Sequence, residues 1–257
     1  MNLGLAGRGA LVCASTSGLG LAVARELAAE GARVLLCGRR ADLAEQLAAE
    51  LPGAAGIGAD LLEPGAPRQL ADAAEAAFGA VDVVVLNSGG PPTGDARDQN
   101  RDSLLSAVER LLLTQVELVR LCLPGMVERG WGRIIAIGSS GVVEPIPGLV
   151  QSNVGRAALA GYLKTLAGEV AADGVTVNMV LPGRIATERA AQVDAASAQR
   201  RGCDAAEVRA EIEAAIPAHR SGDPAEFAAA VAFLASDRAS YITGSQVRVD
   251  GGMASSY

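Results

Sequence analysis

The strand-type run Leu11-Val12-Cys13 gives way to Ala14-Ser15-Thr16-Ser17-Gly18-Leu19-Gly20, and apolar residues then resume at helical spacing through Leu27. A strand–turn–helix junction built of small and hydroxyl residues lets a phosphate approach the backbone. It also presents the N–H groups at the helix start, where the macrodipole favours an anion. A plain tight turn would give the same local pattern, so the neighbouring segments must decide. Other chemistries have little to work with. The sole histidine, His219, leaves small scope for a metal centre or a Ser-His-Asp relay. The four cysteines (Cys13, Cys37, Cys122, Cys203) contain no Cys-x-x-Cys pair. Neither a zinc site nor a disulfide framework is expected.

The chain has 257 residues, of which 50% are hydrophobic, enough to bury a full core as one domain. A net charge of −7 argues against a nucleic-acid or acidic-membrane surface as partner. No run approaches the roughly 18 apolar residues of a membrane span, and no basic segment precedes an apolar one at the start. A cytoplasmic protein is the expectation.

Strand-like and helix-like segments alternate. Strands are expected at Gly31–Gly38, Gly56–Leu61, Val81–Leu86, Arg133–Gly138 and Val175–Val180, with a last one from Gln246. Helices are expected at Asp42–Leu51, Pro67–Phe78, Asp102–Arg129, Ser152–Ala172 and Pro224–Leu234. Strands apolar on both faces, joined by helices, imply an α/β doubly wound parallel sheet, the Rossmann fold, with ligands beyond the carboxyl ends of the strands. Ser15 to Gly20, Arg39, Asp60, Asn87, Ser139 and Pro182 then converge on one cleft. The polar stretch from about 184 to 222 breaks the pattern, with one helix expected at Ala205–Ile216. It reads as a helical lid over a substrate, or else as a surface insertion.

Seven short motifs in order carry a family resemblance. They are Ser17-Gly18-Leu19-Gly20, Asp60-Leu61, Asn87-Ser88-Gly89, Gly132-Arg133-Ile134-Ile135 with Ser139, Asn178 with Pro182-Gly183, Tyr241-Ile242-Thr243-Gly244, and Asp250-Gly251-Gly252. Over essentially its whole length the chain resembles the short-chain dehydrogenase/reductase family, nearest to its 3-oxoacyl-carrier-protein reductase-like members. The resemblance implies a nicotinamide cofactor, a small-molecule or acyl substrate, and a homodimer or homotetramer packed through the long helices. Ser15 and Ser17 to Gly20 would line the pyrophosphate, Asp60 and Leu61 the adenine, and Asn87 with Gly89 the adenosine ribose side. Pro182, Gly183 and Ile185 would hold the nicotinamide amide, with Thr187 nearby. Ala14 departs from the family at the first glycine of the turn. Arg39 follows the second strand where an acidic residue would accept from the ribose of NAD; a guanidinium suits the 2′-phosphate, favouring NADP(H) over NAD(H). A solvated Arg39-Arg40 pair is the alternative.

The family's catalytic pattern is largely missing. Its Ser is present as Ser139, but Ser152 stands where Tyr belongs, Arg156 where Lys belongs, and Leu111 where Asn belongs. Tyr162 and Lys164 lie roughly 15 Å and 12 Å too far along the helix to substitute. Ser is a poor acid and Arg stays protonated, so the usual Tyr-Lys proton transfer has no carrier here. Ser152 and Arg156, four apart, share a helix face, and with Ser139 they form a cradle for a carboxylate or an oxyanion; the resemblance also implies that Arg156 could hold the nicotinamide ribose as the Lys would. The alternative for Ser152 is a helix N-cap. Gln151, Asn153, Glu144 and Arg184 flank the cleft as further polar contacts. The sequence thus suggests an NADP(H)-dependent oxidoreductase of a carbonyl or alcohol substrate working by atypical means. A dehydratase, isomerase or cyclase on the same scaffold, and a cofactor-binding pseudoenzyme, remain open.

Overall fold

The computed structural model describes residues 2–256. Seven parallel strands form one sheet: β1 (Gly9–Val12), β2 (Arg33–Gly38), β3 (Ala55–Gly58), β4 (Val83–Leu86), β5 (Gly132–Ile137), β6 (Val175–Pro182) and β7 (Gln246–Val249). Their spatial order is β3-β2-β1-β4-β5-β6-β7. All of β1, β4 and β5 is buried. Side chains alternate across the pleat. Leu11, Cys13, Leu35 and Val84 enter one apolar layer, while Ala10, Val12, Val34 and Val85 enter the other.

Each layer is completed by helices. α1 (Gly18–Ala29), α2 (Ala41–Ala49) and α9 (Pro224–Ala235) cover one face through Leu27, Leu47, Phe227 and Val231. α3 (Ala66–Phe78), α5 (Thr114–Glu128) and α6 (Val150–Val170) cover the other through Leu70, Leu118, Met126 and Leu163. Fully burying one such side chain stabilises the fold by about 1.5–3 kcal/mol, which is why a double-sided apolar sheet demands two helical layers. Among the described residues no helix is long and apolar enough to cross a membrane.

The doubly wound architecture matches the expectation, with two revisions. The long helix expected from Asp102 to Arg129 is α4 (Arg101–Val108) followed by a π-helical turn, Glu109–Leu113, and then α5. Thr114 Oγ1 donates to the carbonyl of Glu109 at 3.0 Å, where the wider turn upsets the regular ladder. The stretch after β6 holds two helices rather than one: α7 (Glu188–Arg201) and α8 (Ala205–Ala215). Gly202, in the left-handed region at φ 67, ends α7.

Strand order reverses between β1 and β4, since β2 lies to one side of β1 and the later strands to the other. A crevice opens at such a switch point, beyond the carboxyl ends of the strands. The turn after β1, the loop after β4, the loop after β5 and the segment after β6 all meet there.

Candidate active site

The turn after β1 is held by side chains that face inward. Ser15 is fully buried; its Oγ donates to the Val12 carbonyl at 2.7 Å and accepts from the Cys37 N–H at 3.0 Å. Asn87, at the end of β4, donates through Nδ2 to the carbonyls of Cys13 and Ala14 at 3.2 and 3.3 Å. Ser15, expected to contact a phosphate, is therefore a brace, because both roles of its hydroxyl are filled inside the fold. Asn87 likewise ties the turn to β4 with its side chain. These bonds over-determine the backbone at Ala14, which sits at φ 46, a left-handed conformation that strains a residue with a Cβ.

The ligand-facing part of the turn is backbone. Ser17 occupies the N-cap position of α1 in an extended conformation, and its side chain makes no cap bond. The first N–H groups of this 12-residue helix, at Gly18, Leu19 and Gly20, are left for an anion. A Cβ at Gly20 would lie 2.4 Å from the Ala14 carbonyl oxygen, so only glycine lets α1 approach the turn so closely. A Cβ at Gly18, φ 54, would meet nothing nearer than Thr187 Cγ2 at 3.9 Å. Thr187 thus stands across an open space from the turn. Its Oγ1 caps α7 by accepting from the Ala190 N–H at 3.2 Å. Arg39 is exposed at the end of β2 and makes no ion pair among the described residues; Arg40 is the N-cap residue of α2. Asp60 bends its own loop, accepting from the Leu62 N–H at 3.1 Å. Uncapped helix N–H groups, the opening over Gly18 and the unpaired Arg39 fit a phosphorylated dinucleotide.

The segment after β6 is pinned next to this cleft. Gly183 N–H donates to the Val249 carbonyl at 3.0 Å, and Ile185 pairs with Gly222 as an isolated bridge. Arg189, a residue the sequence analysis did not single out, donates from Nη2 to the Pro91 carbonyl at 2.9 Å and joins α7 to the loop after β4. Its position two residues beyond Thr187 was the available signal. Gly89 lies in the same loop, within reach of Arg110 from the π-helical turn.

At the carboxyl end of β5 the side chains behave differently. Ser139 Oγ accepts from the Gly141 N–H at 3.0 Å, capping a short helical turn, and keeps its own O–H. Arg156 donates from Nη1 to the Ile137 carbonyl, two residues before Ser139. It retains some accessible surface, yet enough protein surrounds the guanidinium that burial pulls its pKa down to about 10. It is still a cation at neutral pH. Ser152, partly buried in the first turn of α6, makes no side-chain hydrogen bond among the described residues, and the N-cap residue is Leu149 rather than Ser152. Leu111 is buried, and a Cβ at Gly155 would lie 2.7 Å from its Cδ1. Leu111, expected to stand in the place of Asn, therefore packs an apolar side chain against α6 at Gly155.

Four expected polar contacts are engaged elsewhere. Gln151 Nε2 donates to Gln99 Oε1 at 3.0 Å. Asn153 exchanges two bonds with the backbone of Ile146. Glu144 Oε1 accepts from the N–H groups of Ser255 and Ser256 and from the Ser255 hydroxyl, and these bonds hold its pKa below the usual carboxylate range. Arg184 pairs with the buried Asp194. Gln151 and Glu144 have partners 52 and 111 positions away, which local spacing does not reveal, while Asn153 and Arg184 are tied close by in sequence, seven and ten positions away. Lys164, as expected, is remote, with Nζ on the Gly244 carbonyl at 2.9 Å, and His219 is exposed. Ser139, Ser152 and Arg156 thus offer hydroxyl and guanidinium donors at the end of β5, and none of the three is paired with a carboxylate among the described residues.

Comparison with known proteins agrees with this geometry. Residues 13–254 match the family described as enoyl-(acyl carrier protein) reductase. The chain is 35% identical over 251 residues to a 3-oxoacyl-[acyl-carrier-protein] reductase of Salmonella typhimurium, covering 96% of this chain and 97% of the relative. It is 34% identical over 251 residues to the granaticin polyketide synthase putative ketoacyl reductase 1 of Streptomyces violaceoruber, covering 95% and 92%. Among solved structures, L-sorbose reductase from Gluconobacter frateurii, complexed with NADPH and L-sorbose, superposes with a TM-score of 0.94 at 31% identity, each chain covered fully. A variant of actinorhodin polyketide ketoreductase with NADPH gives 0.92 at 32% identity, covering 97% of this chain and 98% of that one.

Proposed function

Because the chain belongs to the short-chain dehydrogenase/reductase family, we propose that it is an NADP(H)-dependent oxidoreductase of a carbonyl or alcohol substrate that works without the family's Tyr and Lys. The observation that carries this reading is the pairing of an uncapped α1 N-terminus with the unused donors of Ser139 and Arg156 at the end of β5. The backbone of Ser17 to Gly20 and the Thr187 side hold the pyrophosphate. Arg39 takes the 2′-phosphate, and the Pro182-to-Ile185 backbone takes the nicotinamide amide. Asp60, Leu61 and Gly89 flank the adenosine.

When bound, NADPH supplies the hydride. The chain's own part is electrostatic. The Ser139 and Ser152 hydroxyls and the Arg156 guanidinium donate to the substrate oxygen as negative charge develops on it, and they need no reorganisation to do so. Arg156 cannot serve as an acid near neutral pH, so the proton comes from water or from the substrate. α7 and α8 form a lid over the substrate, latched by Arg189 to the Pro91 carbonyl. Residues 1–257 are read as one such domain. Assembly into a homodimer or homotetramer is supported by Leu105, Leu113 and Val154, exposed along α4, the π-helical turn and α6. The four free cysteines support a reducing, cytoplasmic setting.

Fluorescence titration of the purified protein tests the first step. Micromolar NADPH binding, at least tenfold tighter than NADH and reduced to parity in Arg39→Ala, is expected. Failure of both nucleotides to bind overturns the redox reading. Product formed without any change in nicotinamide absorbance would instead favour an isomerase or dehydratase.

A further inference from the structure

The pocket at the end of β5 holds a cation with no counter-ion. Arg156 makes one hydrogen bond, to the Ile137 carbonyl, and no ion pair among the described residues; no charged neighbour contributes to its lowered pKa. Two other arginines drawn into the fold are balanced, whereas Arg156 sits amid enough protein for burial to pull its pKa down without any acid against it. Arg184 has Asp194 against it, and Arg133 has Asp237 at 4.0 Å with Trp131 stacked below. The acid nearest in sequence to Ser139, Glu144, is already held by the C-terminal segment. Ser139, two residues beyond the Ile137 carbonyl that Arg156 holds, and Ser152, one helical turn before Arg156 on α6, add O–H donors and no negative charge.

An unpaired, partly desolvated charge is costly unless a ligand neutralises it. The cofactor phosphates do not meet that need, because their cradle lies at the α1 N-terminus and at Arg39, across the switch point from β5. An oxyanion would neutralise it only while the bond is changing. A carboxylate does so from the moment of binding, and its two oxygens match the planar fork of a guanidinium.

We propose that the substrate of this site carries a free carboxylate beside its carbonyl, a small oxo acid, with the carboxylate anchored on Arg156 and Ser152 and the adjoining carbonyl oxygen on Ser139, where the same guanidinium and hydroxyl also face the charge that develops on it. This rests on reading the pocket as the substrate site, as above. A neutral ketone or thioester would leave the guanidinium unpaired as the site closes.

Isothermal titration of the full chain, with and without NADP⁺, compares acetoacetate and 2-oxobutanoate with their ethyl esters. The acids are expected to bind roughly 10–100-fold tighter than the esters, the range for a hydrogen bond to a charged group. That preference should fall to near unity in Arg156→Gln and be partly retained in Arg156→Lys. Equal binding of acid and ester, an undiminished preference in Arg156→Gln, or no binding of either acid at millimolar concentration overturns the proposal. The wild-type comparison stands even if Arg156→Gln fails to fold. NADPH titration and absorbance run alongside separate the two readings. A pocket that prefers acids in a protein that ignores NADPH retains the carboxylate inference and removes the redox one. NADPH oxidation as fast with esters as with acids removes the carboxylate inference and retains the redox one.

Discussion

At the turn after β1 the polar side chains are taken up by the fold, and at the end of β5 they keep donors in hand. Ser15 and Asn87 hold carbonyls and an N–H of the fold itself, so a ligand there meets bare backbone. Ser139, Ser152 and Arg156 keep donors unused. The contrast follows from what each ligand is. A pyrophosphate is the same in every reaction, and a rigid ring of N–H groups around a helix start suffices for it. A substrate differs from protein to protein, and side chains can be exchanged without rebuilding the sheet. The turn therefore keeps glycine at 18 and 20, while the end of β5 carries side chains that can be exchanged, Ser139, Ser152 and Arg156.

The comparison predicts that damage to the turn is first a loss of stability, and damage to the pocket a loss of binding alone. The largest effect belongs to Gly20→Ala. Its new methyl would meet the Ala14 carbonyl oxygen at 2.4 Å and Asn87 Nδ2 at 2.9 Å. Neither atom can retreat without breaking the brace. Overpacking of this kind costs about 3 kcal/mol. A thermal melt should show Tm lowered by roughly 6–12 °C, with NADPH affinity down more than tenfold. An unshifted melt would mean that the turn is soft and that its side chains are not its frame.

Asn87→Ala comes next. It removes two hydrogen bonds to partly buried carbonyls, a loss of about 1–2 kcal/mol. Asn87→Asp sharpens the test, since it sets a carboxylate oxygen against the carbonyls of Cys13 and Ala14 in place of the donor. The Asp variant should melt below the Ala variant. The reverse order would show that Asn87 faces the ligand after all.

Chemical identity alone does not separate Ser15 from Ser139, and this marks how far the sequence could be read. Strand and helix alternation was legible because burial on two faces writes itself into runs such as Val83–Leu86 and Ile134–Ile137. The shared helix face of Ser152 and Arg156 was legible because a spacing of four along α6 fixes it. Helix α7 was not, since its Ala, Gln and Arg residues carry little apolar periodicity and only Asp194 and Ala198 are buried. Nor were the partners of Ser15 and Glu144. Ser15 meets Cys37 across 22 positions and Glu144 meets Ser255 across 111, distances over which local pattern says nothing.

On the pocket side, Ser152→Ala removes a hydroxyl with no protein partner, so its melt should stay within about 0.5 kcal/mol of wild type. Oxo-acid affinity should fall by roughly fivefold, the weight of one ordinary hydrogen bond. A clear drop in Tm would place Ser152 among the braces and blur the division between the two regions.

The smallest effect probes the turn from the opposite direction. Ala14 holds a left-handed φ of 46 because Ser15 and Asn87 leave its backbone no alternative. That conformation costs a residue with a Cβ roughly 1–2 kcal/mol. Ala14→Gly releases the strain but adds about 0.5–1 kcal/mol of backbone entropy to the unfolded chain. The difference is a gain of about 0.5 kcal/mol, or a Tm raised by roughly 1–2 °C. NADPH affinity should move by less than twofold, because the brace already sets the positions of the N–H groups that receive the phosphates. A much larger gain in affinity would mean that the methyl itself stands in the ligand's way. The turn would then owe its shape to the braces but its occupancy to the residue at position 14.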